Sequence, residues 1–344
     1  MKAAVFHQCG DASQIQIEEV PEPQIGAGQA LIRVHASAFN HLELWSLHGP
    51  ADESYHFPMW TGSDIAGVIA KLSPDVTGWS VGDAVAVNPS LSCGKCERCL
   101  EGEVSQCDVY DILGSNGNGG NAEYIAVNAD KLIRMPNGFD FVTAAAAPLA
   151  YQTAWRAIVK RAKLQKGEDV LVLGASGGVA VAAIQISKML GARVFAITSS
   201  EEKMEKVRRA GADFAVDRKA SNPFDEVRRL TDGRGVDLVI ENVGAATWSE
   251  SQKILRKAGR IVTYGRTTGR EAVTNLSLLF WNEQTLIGST MGSLTDFREI
   301  MELVFNGTID PIIDSVYPLE QAAEAYARYE RGEQFGKIVL QVHP

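Results

Sequence analysis

This chain of 344 residues has little cysteine, no long apolar run and no excess of basic charge. Its 33 Lys and Arg are outnumbered by 42 Asp and Glu, giving a formal net charge of −9. Nucleic acid and anionic membrane surfaces select for basic patches, so neither is expected as a partner. The most apolar stretches, 141–151 and 170–186, are broken by Pro148, Gly174, Gly177 and Gly178. Neither reaches the ~18 consecutive apolar residues of a membrane-spanning helix. The N-terminal segment scatters His7, Asp11, Glu18 and Glu19 among apolar residues, unlike the charged-then-apolar order of a secretory leader. A cytoplasmic protein is expected. No internal repeat or low-complexity tract is present, which argues against repeat architectures.

The five cysteines are an odd number, and four of them fall between positions 93 and 107. In a long intracellular chain such crowding reads as metal binding before disulfides. The pattern Cys93-x2-Cys96-x2-Cys99-x7-Cys107 offers four thiolates, which match tetrahedral Zn²⁺ with no position left open. A structural zinc is expected there; an iron–sulfur cluster and free thiols are the alternatives. Cys9 stands apart as an ordinary residue.

At roughly 150 residues per domain the length suggests two domains. Up to about residue 155 the pattern is of short β-like runs, Ala30–His35, Asp64–Leu72, Asp83–Asn88 and Ala122–Val127, separated by turn signals. This predicts an irregular, barrel-like β domain. Beyond it, apolar strands such as Asp169–Leu173, Arg193–Thr198 and Asp237–Ile240 alternate with amphipathic helices. That rhythm predicts βαβ units and a doubly wound parallel sheet, with strands apolar throughout because both faces are buried. Two helices, at 296–306 and 319–330, and a closing strand, Lys337–Val342, are expected to return to the first domain. The predicted division is 1–155 with 298–344 against 156–297, with a cysteine lobe at about 90–112.

The strand 169–173 runs through Gly174-Ala175-Ser176-Gly177-Gly178-Val179-Ala180 into an apolar helix. Glycines allow a tight turn and close approach to a diphosphate, while the helix N-terminus supplies free N–H groups. Gly174, Ser176, Gly177, Gly178 and Val179 are therefore candidate dinucleotide contacts. An acidic residue about 20 positions past the glycines would hold the ribose 2′-hydroxyl of NAD. That distance falls on Thr198-Ser199-Ser200, with Lys203 and Arg218 following. Hydroxyls and cations suit a 2′-phosphate, so Ser199, Lys203 and Arg218 point to NADP(H) ahead of NAD(H).

These features together resemble the medium-chain dehydrogenase/reductase superfamily. The resemblance rests on Gly62-Ser63-Asp64-Ile65-Ala66-Gly67-Val68, Gly78-x3-Gly82-Asp83-Ala84-Val85, the cysteine lobe, Gly174–Ala180 and the terminal Gly336-Lys337-Ile338-Val339-Leu340. It implies an α/β chain in which a GroES-like β-barrel catalytic domain carries an inserted Rossmann doubly wound parallel-sheet domain. It further implies a homodimer or homotetramer, formed by edge pairing of Rossmann sheets around Thr285–Thr290. Thr153 falls at a position beside the nicotinamide, and Lys337 joins the expected cofactor contacts.

The departures from the family are informative. The three catalytic-zinc positions of its alcohol dehydrogenases fall on Asn40, on Ser63 (with Asp64 in the acidic place) and near Leu149. An open catalytic zinc needs three protein donors, so this resemblance implies a structural zinc without a catalytic one. His41, Glu43, Asp64 and His48 are chemically able to form an improvised site. Without a Lewis acid, an already electrophilic quinone or α,β-unsaturated carbonyl is the favoured small-molecule substrate. Asn40, by its match to quinone reductases, and the Tyr151 hydroxyl are the candidate catalytic donors. A zinc-type alcohol dehydrogenase and a non-catalytic NADPH-binding redox sensor are the alternatives. Pocket shape would come from loops 46–60, 114–121 and 266–284.

Overall fold

The computed structural model describes residues 1–49, 55–219 and 222–343. Part of the predicted pocket loop 46–60 lies outside the described residues. The chain forms two compact units, Met1–Gln152 with Gly292–Pro344, and Thr153–Met291. These boundaries stand a few residues before the expected 155/156 and 297/298 divisions. The first one falls inside the helix Pro148–Trp155. Among the described residues no helix is long and apolar enough to cross a membrane.

The first unit is built on a seven-stranded sheet. The long strand Gln29–Ala38 is its hub, pairing antiparallel with Asp64–Leu72, Tyr124–Asn128 and Lys337–Gln341. The C-terminal strand thus returns to the first unit, as predicted. Its register places Val339 opposite Ala38, while Asp64 also lies opposite Ala38 on the other flank. Residues near positions 38, 64 and 338 are thereby gathered at one end of three adjacent strands. Ile32, Ile65, Ile69 and Val85 pack one core, and Phe6, Phe39, Leu47, Met59 and Tyr326 another. Each such fully buried side chain contributes ~1.5–3 kcal/mol.

The second unit carries a six-stranded, wholly parallel sheet. In space its strands run Phe214–Asp217, Arg193–Thr198, Asp169–Val172, Val236–Glu241, Leu255–Thr263 and Thr285–Gly288. The sequence order reverses between Asp169–Val172 and Val236–Glu241, which is the switch point where doubly wound sheets bind ligands. Both of these strands are buried at every residue, as the apolar runs Val170–Val172 and Leu238–Ile240 within them require. Among the helices that the sequence pattern did not suggest are Phe141–Ala145, His41–His48, Glu97–Leu100, Pro148–Trp155 and Leu276–Trp281. The second matters for function. Its Leu42, Glu43, Leu44 alternation looks strand-like, but Asn40 followed three residues later by Glu43 is a capping-box signal. Its Glu43 half is present, with Asn40 N donating to Glu43 Oε2 at 2.6 Å.

Candidate active site

The four cysteines sit in a lobe closed by the antiparallel pair Ser90–Leu91 and Asp111–Ile112. Their Sγ atoms all lie within 4.8 Å of one another, with Cys93 and Cys99 separated by 3.9 Å. Sulfurs bound to one tetrahedral zinc stand about 3.8 Å apart, given a Zn–S bond of about 2.3 Å. The backbone supports thiolates as well. Cys96 N donates to Cys93 Sγ at 3.3 Å, and Cys93 N donates to Cys107 Sγ at 3.4 Å. Hydrogen bonds from the backbone N–H groups of Lys95 and Cys96 pull the Cys93 thiol down to about 6. The set fits a closed structural Zn²⁺. Among the described residues it is also the one group of three or more His, Cys, Asp or Glu with metal-binding geometry.

The positions that resemble a catalytic-zinc site are built differently. Asn40 follows the hub strand, Asp64 opens its neighbour and Lys337 opens the C-terminal strand, so sheet register brings the three together. Lys337 Nζ donates to Asn40 Oδ1 at 2.6 Å and to Asp64 Oδ2 at 2.8 Å. Asn40 Nδ2 donates to the same Asp64 oxygen at 3.0 Å. The other Asp64 oxygen accepts from Leu149 N at 2.6 Å. Lys337 is 2% exposed and Asp64 is fully buried, so this is an ion pair shielded from water. Gly336 makes the arrangement possible. It has φ +92°, and a Cβ there would stand 2.2 Å from Ile312 O, in the turn where Lys337 N bonds that same oxygen.

Glu43, also fully buried, completes the cluster through Asn40 N and, at 3.4 Å, Ser63 N. Burial pushes its carboxyl up to about 7 against the opposing pull of the Lys337 ammonium. Ser63 is fully buried, and its hydroxyl has no partner among the described residues. Asn40, Ser63 and Leu149 thus offer an amide already committed on both sides, one hydroxyl and an aliphatic chain. They do not fit a zinc ion. An improvised site is not assembled either. His41 and Glu43 lie two residues apart on one helix, so they do not share a face. His48 bonds Glu330 at 2.8 Å.

Two further residues singled out in the sequence are buried in this setting. Tyr151 is 1% exposed, and its hydroxyl accepts from Ile312 N at 3.2 Å, with burial pushing its pKa upward. That bond uses the hydroxyl oxygen as an acceptor and anchors Tyr151 to the segment before the strand Ile313–Pro318. Lys337 is enclosed with Asn40 and Asp64. Sequence spacing missed this cluster because its members are 273 and 297 residues apart.

In the second unit the glycine turn has the expected form. Gly174 has φ +56°, and a Cβ there would approach Asn242 Oδ1 to 3.3 Å. Gly177 caps the helix Gly178–Met189 without a side-chain bond, and the first helical bond is Val181 N to Gly177 O at 2.9 Å. The N–H groups of Gly178, Val179 and Ala180 precede that bond, in the position where diphosphates are held. Ser176 N turns back to Gly174 O at 2.7 Å. The buried Asn242 Oδ1 and Thr198 Oγ1 have no partner among the described residues, and both lie at carboxyl ends of strands. A dinucleotide fits this end of the sheet: backbone donors for the diphosphate, orphaned side-chain atoms for its hydroxyls. Ser199 follows Thr198, and Ser200 is committed as a helix cap to Lys203 N at 3.3 Å. Arg218 is exposed, with its backbone N bonded to Thr198 O at 2.9 Å. Thr153 donates to Met291 Sδ at 3.4 Å.

Comparison with known proteins converges on one family. Residues 26–137 match the alcohol dehydrogenase GroES-like domain, and residues 178–306 match the zinc-binding dehydrogenase domain. An NAD-dependent alcohol dehydrogenase of Sulfolobus acidocaldarius is 34% identical over 99% of this chain and 100% of its own length. The acryloyl-coenzyme A reductase of Sulfurisphaera tokodaii is 31% identical over 99% of each. A crystal structure of an NAD-dependent alcohol dehydrogenase superposes with TM-score 0.95 at 38% identity, covering 100% of both chains.

Proposed function

The chain belongs to the medium-chain dehydrogenase/reductase superfamily, an NAD(P)H-dependent oxidoreductase of small molecules, and we propose that it reduces conjugated carbonyl compounds. The substrates in this reading are α,β-unsaturated carbonyls or quinones. One observation carries it: the catalytic-zinc positions hold Asn40, Ser63 and Leu149, and Asn40 is closed into a cluster with Asp64 and Lys337 whose oxygens suit an ammonium and not a metal. A simple ketone or alcohol needs strong polarisation of its oxygen. A conjugated carbonyl spreads the developing charge and needs less. The similarity to an acryloyl-coenzyme A reductase supports the same class.

When bound, the nicotinamide cofactor supplies the hydride. The chain's own part is to hold, aim and neutralise. Gly174, Ser176, Gly177, Gly178 and Val179 are assigned to the diphosphate, and Thr153 to the nicotinamide end. For the adenosine end we assign Ser199, Lys203 and Arg218 to a 2′-phosphate, making NADPH the preferred reductant; the relatives named NAD-dependent stand against that preference. Asn40 has both ends of its amide engaged, so it serves as the brace that fixes Lys337 rather than as a donor to substrate. The edge strand Thr285–Gly288 and the exposed Leu276, Phe280 and Trp281 beside it support a homodimer through that edge.

The test is a substrate panel run in both directions. Oxidation of NADPH or NADH by an enone, an enoyl thioester and a quinone is expected, with turnover unaffected by mild chelation. Alcohol-dependent reduction of NAD⁺ or NADP⁺ that a chelator abolishes would instead establish the second reading, a zinc-type alcohol dehydrogenase. The names of several relatives favour that reading.

A further inference from the structure

The buried cluster contains two hydrogen-bond donors that nothing among the described residues accepts. An ammonium has three N–H groups, and Lys337 spends two of them, on Asn40 and Asp64. The third has no partner among the described residues. The Ser63 hydroxyl, fully buried, has none either. Ser63 and Lys337 belong to one cluster, tied through Glu43, which accepts from both Ser63 N and Asn40 N. Buried donors are satisfied in the great majority of native structures, and each orphan is costly to leave unpaired. Two such donors beside a fixed positive charge make a site for an oxygen that becomes negative. We infer that Lys337 and Ser63 together bind the carbonyl oxygen of the substrate as it turns into an enolate or hydroquinone oxygen. Asn40 and Asp64 are then positioning residues: they hold the ammonium in a fixed orientation, so that no reorganisation is needed as charge develops.

This assignment rests on the conjugated-carbonyl reading and specifies its chemistry. A nicotinamide cofactor held by the Gly174–Val179 turn would supply a hydride for the β-carbon, and the π pair of the double bond would then shift toward the carbonyl. The new negative charge rests on the oxygen facing Lys337 and Ser63. A proton from solvent then reaches the α-carbon, so the substrate gains one hydride and one proton and the cofactor is oxidised.

The test uses a ligand that cannot be reduced at a conjugated alkene. Protein saturated with oxidised cofactor is titrated with 4-nitrophenol, at a pH where the free probe is protonated, and the absorbance of bound phenolate is followed. Wild-type protein is expected to bind the phenolate. The Ser63→Ala variant, which removes one hydroxyl, is expected to lose about tenfold in phenolate affinity, while Ser63→Thr retains it. The loss in Lys337→Met is expected to be larger. With a conjugated substrate, Ser63→Ala should lower kcat more than it raises KM. Absence of phenolate absorbance in the wild type, or equal absorbance in wild type and Ser63→Ala, overturns the assignment. Should Lys337→Met fail to fold, the Ser63 pair decides alone. Phenolate binding without reduction of any enone or quinone would sink the substrate reading and leave the oxyanion site standing; the converse result would do the opposite.

Discussion

Two places in the first unit are ones that the family resemblance marks as metal sites, and the chain has built them in opposite ways. In the lobe, four soft donors converge within 4.8 Å and are held by backbone N–H groups. At the other place, Asn40, Ser63 and Leu149 replace the ligands, and a lysine arriving from the far end of the chain supplies the positive charge. A divalent cation needs a convergent set of anionic or neutral donors, and the thiolates provide it without help from elsewhere in the fold. An ammonium carries its charge on a covalent tether. It needs only acceptors and burial, which Asn40 and Asp64 supply. The zinc-binding likeness of the whole chain therefore says nothing about whether the reacting centre holds zinc.

The largest effect is expected at the lobe. Cys107→Ser removes its most buried ligand, and zinc by elemental analysis should fall from about one per chain to near zero. Binding of a structural zinc is worth ~10 kcal/mol or more to the segment it organises, so tryptic cleavage after Lys95 and Arg98 should accelerate. Turnover per folded molecule should survive. If activity vanished while the fold persisted, the contrast between the two places would collapse.

Next comes the tethered cation. Lys337→Met should lower kcat/KM toward the best conjugated substrate by ~10²–10³-fold, the range for loss of an electrostatic transition-state donor. Zinc content should stay unchanged, and binding of NADPH, followed by its fluorescence, should be little affected. A variant that kept full activity would show that the buried ammonium only braces the sheet.

The third prediction concerns Glu43. Its carboxyl titrates near 4.5 when unfolded and at about 7 in the fold, chiefly from desolvation. Between those values the folded chain keeps a proton that the unfolded chain has lost. Stability therefore falls as pH rises from about 4.5 to 7, by about 3 kcal/mol, and stays at that lower level above it. Glu43→Gln removes the ionisation and leaves Asp64 and Lys337 as a balanced pair. Its thermal midpoint should exceed that of the wild type at pH 8, with the difference shrinking toward pH 5. A constant offset across that range would mean that Glu43 is not the titrating group.

The smallest expected change lies in the second unit. Arg218→Ala should reduce the preference for NADPH over NADH by about tenfold, the value of one charge-assisted bond to phosphate. An unchanged ratio of kcat/KM for the two cofactors would transfer specificity away from Arg218.

Much of this molecule was legible along the chain because the relevant signals are local. The cysteine spacing specifies a four-thiolate lobe, since residues 93 to 107 close on themselves whatever surrounds them. Gly174 through Ala180 specifies its strand–turn–helix because the φ at Gly174 and the free N–H groups arise within one short segment. The alternation of apolar strands with helices specified a parallel sheet, down to the return of the Lys337–Gln341 strand to the first unit. The helix His41–His48 was hidden by its strand-like alternation, although its capping pair was readable. Nothing in the neighbourhood of Tyr151 along the chain reveals that its hydroxyl accepts from Ile312 N.

Tertiary structure alone decided the Asn40–Asp64–Lys337 cluster. The sequence could show that Asn40, Ser63 and Leu149 are poor zinc ligands; it could not show what stands in place of the metal. Lys337 lies 297 residues from Asn40 and 273 from Asp64, and only antiparallel pairing across Ala38 brings them together. The strengths of that ion pair and of Glu43's upward shift depend on how completely water is removed. Exclusion of water belongs to the packed fold as a whole, whereas donor spacing and backbone turns are written residue by residue.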